Sequence, residues 1–289
     1  MPDLIAASPN CFLGYEPFVA YRHFPALGIR HVEVPAAPNG TSAFAPELMG
    51  PDALESFQER LRGFGVEPVT VGAYCDLLRS AHVDALRRRI DFAQALGARN
   101  VVSDATRQLE VDADQWRRIV NTLRYLGDYA ADRGVRIALE THGGITRNGQ
   151  LCAKLLDAVD HDAVGINYDT GNIYYYNEGF DPAEDVKLIA SRVVQVHLKD
   201  TRGGKGEWLF CGLGEGRVDF PAILKTLRAV GFDGPWSLEI EGERGEDLSR
   251  AQNAQRIAGS LDYLRSIGFD FAAPAGAEVA AGLQPSETS

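Results

Sequence analysis

VRIALETHGG (135–144), AVGINYDTGN (163–172), VVQVHLKD (193–200) and PWSLEIEGE (235–243) are the four runs whose reading decides the fold. A parallel strand buried on both faces is ordinarily apolar throughout. Here only one parity is apolar: Ile137 and Leu139; Val164, Ile166 and Tyr168; Val194, Val196 and Leu198; Leu238 and Ile240. The other parity is small or polar: Ala138, Glu140 and His142; Gly165, Asn167 and Asp169; Gln195, His197 and Lys199; Ser237, Glu239 and Glu241. Residues two apart share a face of a strand. All four strands therefore send polar groups the same way, with the ionisable ones at their C-terminal ends. Packing does not require such a pattern, whereas a metal site does.

Working outward, strand-like and helix-like runs alternate along the whole chain. Further strands are expected at 4–7, 29–35, 67–73 and 100–103, and helices at 17–27, 51–64, 82–96, 112–133, 149–160, 182–191, 220–230 and 248–267. Asp181-Pro182 and Asp219-Phe220-Pro221 read as helix starts, and Gly28, Gly65, Gly97, Gly134, Gly231 and Gly268 as helix exits. Eight βα units predict a (β/α)8 TIM barrel of the α/β class. A doubly wound open sheet is the alternative, but it would spread the polar strand ends along an edge, where a barrel gathers them at one mouth. Residues 1–271 are expected to form this single domain. Residues 272–289 are rich in Ala, Gly and Pro and are expected to be a flexible tail.

The chain has 29 Lys plus Arg against 40 Asp plus Glu, a formal net charge of −11, and no block of basic residues. That balance argues against a nucleic-acid backbone or an anionic membrane as partner. Cys11, Cys75, Cys152 and Cys211 are far apart, with no C-x-x-C, and read as reduced thiols. No basic and apolar leader is visible at the start, and no run approaches the ~20 apolar residues of a membrane span. A cytoplasmic protein is the expectation.

Three carboxylates and an imidazole at the strand ends suit a divalent ion with positions left open for substrate. Any one of them alone would more often be a helix cap or an ion-pair partner. LETHGG, NYDTGN, VHLKD and SLEIE together resemble the xylose-isomerase-like TIM-barrel superfamily, which includes sugar phosphate isomerases and epimerases and the AP-endonuclease family 2. The likeness extends to GLGEGRVDF (212–220) and to VEV (32–34). It implies one divalent metal, Mn2+ first with Mg2+, Co2+ or Zn2+ as alternatives, on Glu140, Asp169, His197 and Glu239. Glu241, on the same face as Glu239, competes for the fourth place. The repair endonucleases of the group add an Asp-x-His pair after the HLxD motif. Here that stretch is TRGGKGEWLFCGLGEG, with only Glu207 and Cys211 as metal-competent groups. A multi-zinc phosphodiesterase site is therefore not expected.

Around these positions, His142 reads as a general acid or base, or else as a histidine bonded to a carboxylate. Lys199 reads as an electrophile or sugar-hydroxyl ligand, or as an ion pair with Asp200 or Glu241. Asn172, Arg202 and Trp208 are candidate substrate contacts, and Tyr174–Tyr176 and Trp208–Phe210 are expected to be aromatic clusters in mouth loops. GLGEG is loop geometry, since it lacks the strand-to-helix context of a dinucleotide site.

A metal between inward bases suits removal of a proton α to a carbonyl. The first expectation is an isomerase or epimerase of a keto sugar, with Glu140, Glu239 and His142 as the acid–base groups. The alternative is β-elimination on 3-keto glycosides, as in the barrel subunit of a C-glycoside deglycosidase. Dehydratase and endonuclease chemistry follow as lesser readings. A sugar is the expected small-molecule partner, and a homo-oligomer or a second subunit is expected around it.

Overall fold

The eight expected strands close on themselves. In the computed structural model, which describes residues 2–38 and 44–272, the strands are β1 (Ile5–Ala7), β2 (His31–Pro35), β3 (Glu67–Gly72), β4 (Asn100–Ser103), β5 (Arg136–Glu140), β6 (Val164–Asp169), β7 (Val193–Leu198) and β10 (Trp236–Leu238). They form a closed barrel in the order β1-β10-β7-β6-β5-β4-β3-β2, every pairing parallel. The open-sheet alternative is thereby excluded. Register places Glu140 beside Asn167, Asp169 beside His197 and Leu238 beside Leu198. The ionisable strand ends are therefore neighbours around one rim.

Parity does what the sequence reading required of it. Ile137, Leu139, Ile166, Tyr168, Val196, Leu198 and Leu238 belong to the continuous apolar core. The opposite parity meets inside the barrel. Thr70 on β3 and Asn100 on β4 both donate to Gln195 Oε1 on β7, at 2.6 and 3.1 Å. Neither β3 nor β4 is a neighbour of β7, so the bonds cross the barrel's interior.

The surrounding helices are α1 (Pro17–His23), α2 (Pro51–Phe64), α3 (Ser80–Leu96), α4 (Ala113–Ala131), α5 (Gly149–Val159), α6 (Thr170–Tyr176), α7 (Pro182–Asp185), α8 (Phe220–Ala229) and α9 (Arg250–Ser266). Capping boxes open α4 (Asp112 with Gln115) and α9 (Ser249 with Gln252). Left-handed Gly65 and Gly97 end α2 and α3.

Four expectations change. The helix expected over 182–191 stops at Asp185 and continues as 3-10 turns at Val186–Leu188 and Ala190–Arg192. The cause is tertiary: the Asp185 carboxylate accepts from the Gly149 backbone N–H and the Tyr168 hydroxyl. Tyr174–Tyr176 lie in a helix, not a loop, because Asp169 caps α6 through the N–H groups of Gly171 and Asn172. The last barrel strand ends at Leu238, so Glu239 stands one residue beyond it. Finally, β8 (Asp200–Thr201) and β9 (Phe210–Cys211) form an antiparallel hairpin over the mouth. It follows from Asp200, whose carboxylate accepts from the N–H groups of Gly214, Gly216 and Val218 and folds the glycine loop back. Residues 273–289, which hold nearly all of the expected tail, lie outside the described residues.

All four cysteines are buried and unpaired. Burial pushes the Cys11, Cys75 and Cys211 thiols up to about 12, so they remain protonated. Among the described residues no helix is long and apolar enough to cross a membrane.

Candidate metal centre

Glu140 ends β5, Asp169 ends β6, His197 lies one residue from the end of β7, and Glu239 follows β10. One donor atom from each falls within 4.8 Å of all the others, and all four residues are buried. Metal–ligand bonds of about 2.0–2.2 Å set donor atoms roughly 3–4.4 Å apart, so the four donors stand close to the spacing of a coordination shell.

Each donor is oriented from behind. His197 Nε2 lies 3.0 Å from Glu33 Oε1, which also accepts from Gln195 Nε2 at 3.0 Å. His197 Nδ1 is thereby left facing Glu239 Oε2, Glu140 Oε2 and Asp169 Oδ2 at 3.0, 3.6 and 3.8 Å. Glu140 accepts from Asn172 Nδ2 on one oxygen and Asn167 Nδ2 on the other, both at 3.2 Å. Asn10 Nδ2 donates to Glu239 Oε1 at 3.1 Å.

Two buried atoms in this ring have no hydrogen bond, Asp169 Oδ2 and His197 Nδ1. Their nearest charged neighbours are Lys199 Nζ, 2.9 Å from Asp169 Oδ2, and Glu239 Oε2, 3.0 Å from His197 Nδ1. Buried polar atoms are ordinarily satisfied. A pair left bare at the centre of a carboxylate–imidazole ring fits a divalent cation, which asks for lone pairs and not for protons.

The local charges act in the same sense. Burial drives the Glu140 carboxyl up to about 7, with Glu239 and Asp169 adding to the rise and His197 and His142 opposing it. On Glu239 burial also favours the neutral acid, but His197 and Lys199 overcome it and hold the group well below the usual carboxylate range. Burial disfavours charge on His197, and Glu239, Glu33 and Glu140 outweigh it, so its affinity for a proton is raised. The cluster thus draws positive charge to its centre.

Lys199 Nζ pairs with Asp169, Glu239 and Glu241 at 2.9, 2.8 and 2.9 Å. Of the two partners considered for it, Glu241 is found and Asp200 is not. Glu239 joins the ring, whereas Glu241 lies outside it, holding Lys199. Asn172 donates its Nδ2 to Glu140 Oε1 and its backbone N–H to Asp169 Oδ1. Arg202 is half-exposed at the rim, where it pairs with Glu215 and Glu243 at 2.8 Å each. Trp208 packs edge-on against Tyr175 and Phe210, and Phe210 covers Lys199 Nζ at 4.9 Å. These rings form one wall of the mouth. Glu207 is tied to the Gly204 N–H and Cys211 lies in β9, so neither extends the ring.

His142 sits beside Glu140 without joining the ring. Its Nδ1 is 3.0 Å from Asp104 Oδ1, and Tyr74 and Tyr176 flank its ring edge-on at 5.9 and 5.7 Å. Both of the following glycines are needed: Gly143 and Gly144 have φ of +81° and +53°, and a Cβ on Gly144 would run into the Thr106 carbonyl. Asp104, Arg107, Tyr74, Asn10 and Glu33 are the residues that sequence reasoning passed over. Glu33 had a signal, being a carboxylate between Val32 and Val34 on the inward parity of β2.

A closed parallel barrel with this ring at its C-terminal mouth defines a metal-site α/β barrel. The chain belongs to the xylose isomerase-like TIM barrel family, whose model matches residues 24–267. It is 32% identical over 152 residues to an inosose dehydratase of Clostridium botulinum, covering 47% of this chain and 50% of that protein. It is 28% identical over 191 residues to a 3-dehydroshikimate dehydratase of Pseudomonas putida, covering 63% of this chain and 30% of that protein. The chain thus spans half or less of the length of these curated relatives. A xylose isomerase-like TIM barrel protein from Mycobacterium smegmatis, solved in complex with magnesium, superposes with a TM-score of 0.74 at 19% identity, covering 91% of this chain and 96% of that one.

Proposed function

We propose that this chain is a divalent-metal-dependent dehydratase of a keto polyol, removing the proton α to a carbonyl and expelling the β-hydroxyl as water. The observation that carries the reading is His142, an acid–base group held against the ligand ring but not consumed by it. The inosose dehydratase and 3-dehydroshikimate dehydratase relatives support it. Dehydration thereby moves ahead of the isomerase expected from sequence.

Glu140, Asp169, His197 and Glu239 would hold the ion, with Mn2+ or Mg2+ the best match to three carboxylates and one imidazole. When bound, the ion supplies electrostatic stabilisation of the charge that builds on the substrate carbonyl. His142 takes the proton from the α-carbon, and that electron pair forms the enolate. The enolate then expels the β-hydroxyl, which leaves as water with the proton returned by the His142 imidazolium. Atoms balance with one group in both roles: keto alcohol in, enone and water out. Lys199 helps hold Glu239 ionised, and the rings of Tyr74, Tyr176 and Phe210 limit water around the developing charge.

A second reading, isomerisation or epimerisation, is favoured by Glu140 and Glu239. They stand on either side of His197 Nδ1, each with an oxygen steadied by an asparagine amide. The experiment is incubation of the Mn2+- or Mg2+-loaded protein in D2O with inosose, 3-dehydroshikimate, free ketoses and 3-keto glycosides, followed by mass spectrometry. Loss of one water is the expected result. Deuterium uptake without water loss would give the second reading its place. Aglycone release would make the protein a glycoside-cleaving lyase, and inertness toward all four classes would overturn the proposal.

A further inference from the structure

We infer that Asp104 is a positioning residue that selects the His142 tautomer carrying its proton on Nδ1, leaving the Nε2 lone pair for the substrate. The catalytic consequence rests on the dehydratase reading above; the tautomer does not.

Two groups compete for His142 Nδ1. Asp104 Oδ1 lies 3.0 Å away and can only accept, since its other oxygen takes a hydrogen bond from Arg107 Nε at 2.9 Å. Arg107 Nη2 lies 3.2 Å away and can only donate. Nδ1 has either a proton or a lone pair, so one of the two contacts must be unfavourable. Burial decides which. The Asp104 side chain is 5% exposed and the Arg107 side chain 62% exposed. A carboxylate oxygen shut away from water and left facing a lone pair would carry the full desolvation penalty of a buried unsatisfied ion, while an exposed guanidinium N–H turns to solvent at little cost. The bond that survives is also the charge-assisted one, imidazole N–H to carboxylate. Nδ1 therefore carries the proton, although a histidine free in water prefers it on Nε2.

The surroundings hold this arrangement in place. Tyr74 and Tyr176 close on the ring from its edges. Gly144 packs directly on the backbone of Thr106 and Arg107, so the loop bearing His142 rests against the loop bearing Asp104. Tyr74 itself adopts a left-handed φ of +47°, a conformation that residues other than glycine rarely take and that the packed mouth sustains here. None of these residues enters the ligand ring. Asp104 thus acts on the reaction only through His142.

The test uses the full chain loaded with Mg2+, which is diamagnetic, and labelled with 15N in its histidine rings. His142→Gln assigns the His142 signals by their loss. Wild type is expected to show His142 as the Nδ1–H form. Asp104→Ala is expected to move it to the Nε2–H form and to lower kcat by about 10²-fold with KM nearly unchanged. Asp104→Asn keeps the shape and one acceptor oxygen, and is expected to retain part of the Nδ1–H population and part of kcat. It also stands in should the alanine variant not fold. Nε2–H in the wild type, or a tautomer unmoved by either Asp104 variant, overturns the inference. A correct tautomer in a protein inert toward every keto polyol would instead remove the dehydratase reading and leave the Asp104–His142 assignment standing.

Discussion

One arc of the barrel, β5, β6, β7 and the residue after β10, ends in groups that can bind an ion. The other, β1 to β4 with their loops, carries inward polar groups that bind the first arc. Glu33 holds His197, Asn10 holds Glu239, Thr70 and Asn100 hold Gln195, and Asp104 holds His142. Both arcs place polar residues on the same inward parity. They differ in where those residues spend their hydrogen bonds. The donors of the first arc keep atoms unbonded at the centre, and those of the second leave few. Rigid support of this kind is how a metal site keeps its geometry. A binding arc therefore needs an orienting arc facing it across the barrel.

The sharpest way to break the comparison is in the binding arc. Asp169→Asn preserves the cap on α6 through Oδ1 but replaces the atom left without a hydrogen bond, Oδ2, by an amide nitrogen that donates and cannot bind a cation. Mn2+ affinity by calorimetry should fall by more than about 10²-fold, beyond the usual scale for a supporting residue, with the circular dichroism spectrum unchanged. Retained affinity would remove Asp169 from the ligand set. The orienting arc comes next. Glu33→Gln should weaken Mn2+ by about 10–100-fold, because His197 loses the carboxylate behind Nε2. If it costs as much as Asp169→Asn, the division between the arcs fails.

Smaller effects sharpen the same contrast. Thr70→Val removes a donor to Gln195 deep inside the barrel. It should cost about 1–3 kcal/mol by chemical denaturation, with metal affinity nearly intact. Outside both arcs, Asp112→Ala deletes the α4 capping box and should cost ~1 kcal/mol, with no effect on metal binding. A change in affinity there would mean that the helical shell tunes the site directly. Mn2+ itself should raise the Tm of the wild type, increasingly with the logarithm of its concentration above Kd, and should move that of Asp169→Asn far less at the same concentration.

Much of this was legible in the chain. The eight βα units and the inward parity of the candidate ligands follow from periodicity, because a two-residue strand repeat fixes which side chains share a face, and the choice of ligand set came from the family resemblance. Two sequence expectations gave way to long-range contacts. The break after Asp185 depends on Gly149 and Tyr168, 36 and 17 residues away. The hairpin β8–β9 depends on Asp200 reaching the loop amides from Gly214 to Val218.

The sequence by itself determined the fold class, the inward face and three of the residues in the ring, Glu140, Asp169 and His197, since each of these is a local pattern repeated strand by strand. Only the tertiary structure decided that Glu239 and not Glu241 joins the ring, that Lys199 is shared among three carboxylates, and that Glu33 and Asp104 stand behind the two histidines. The reason is distance along the chain. Glu33 and His197 are 164 residues apart, Asp104 and His142 are 38. No local periodicity pairs them; the closure of the barrel does.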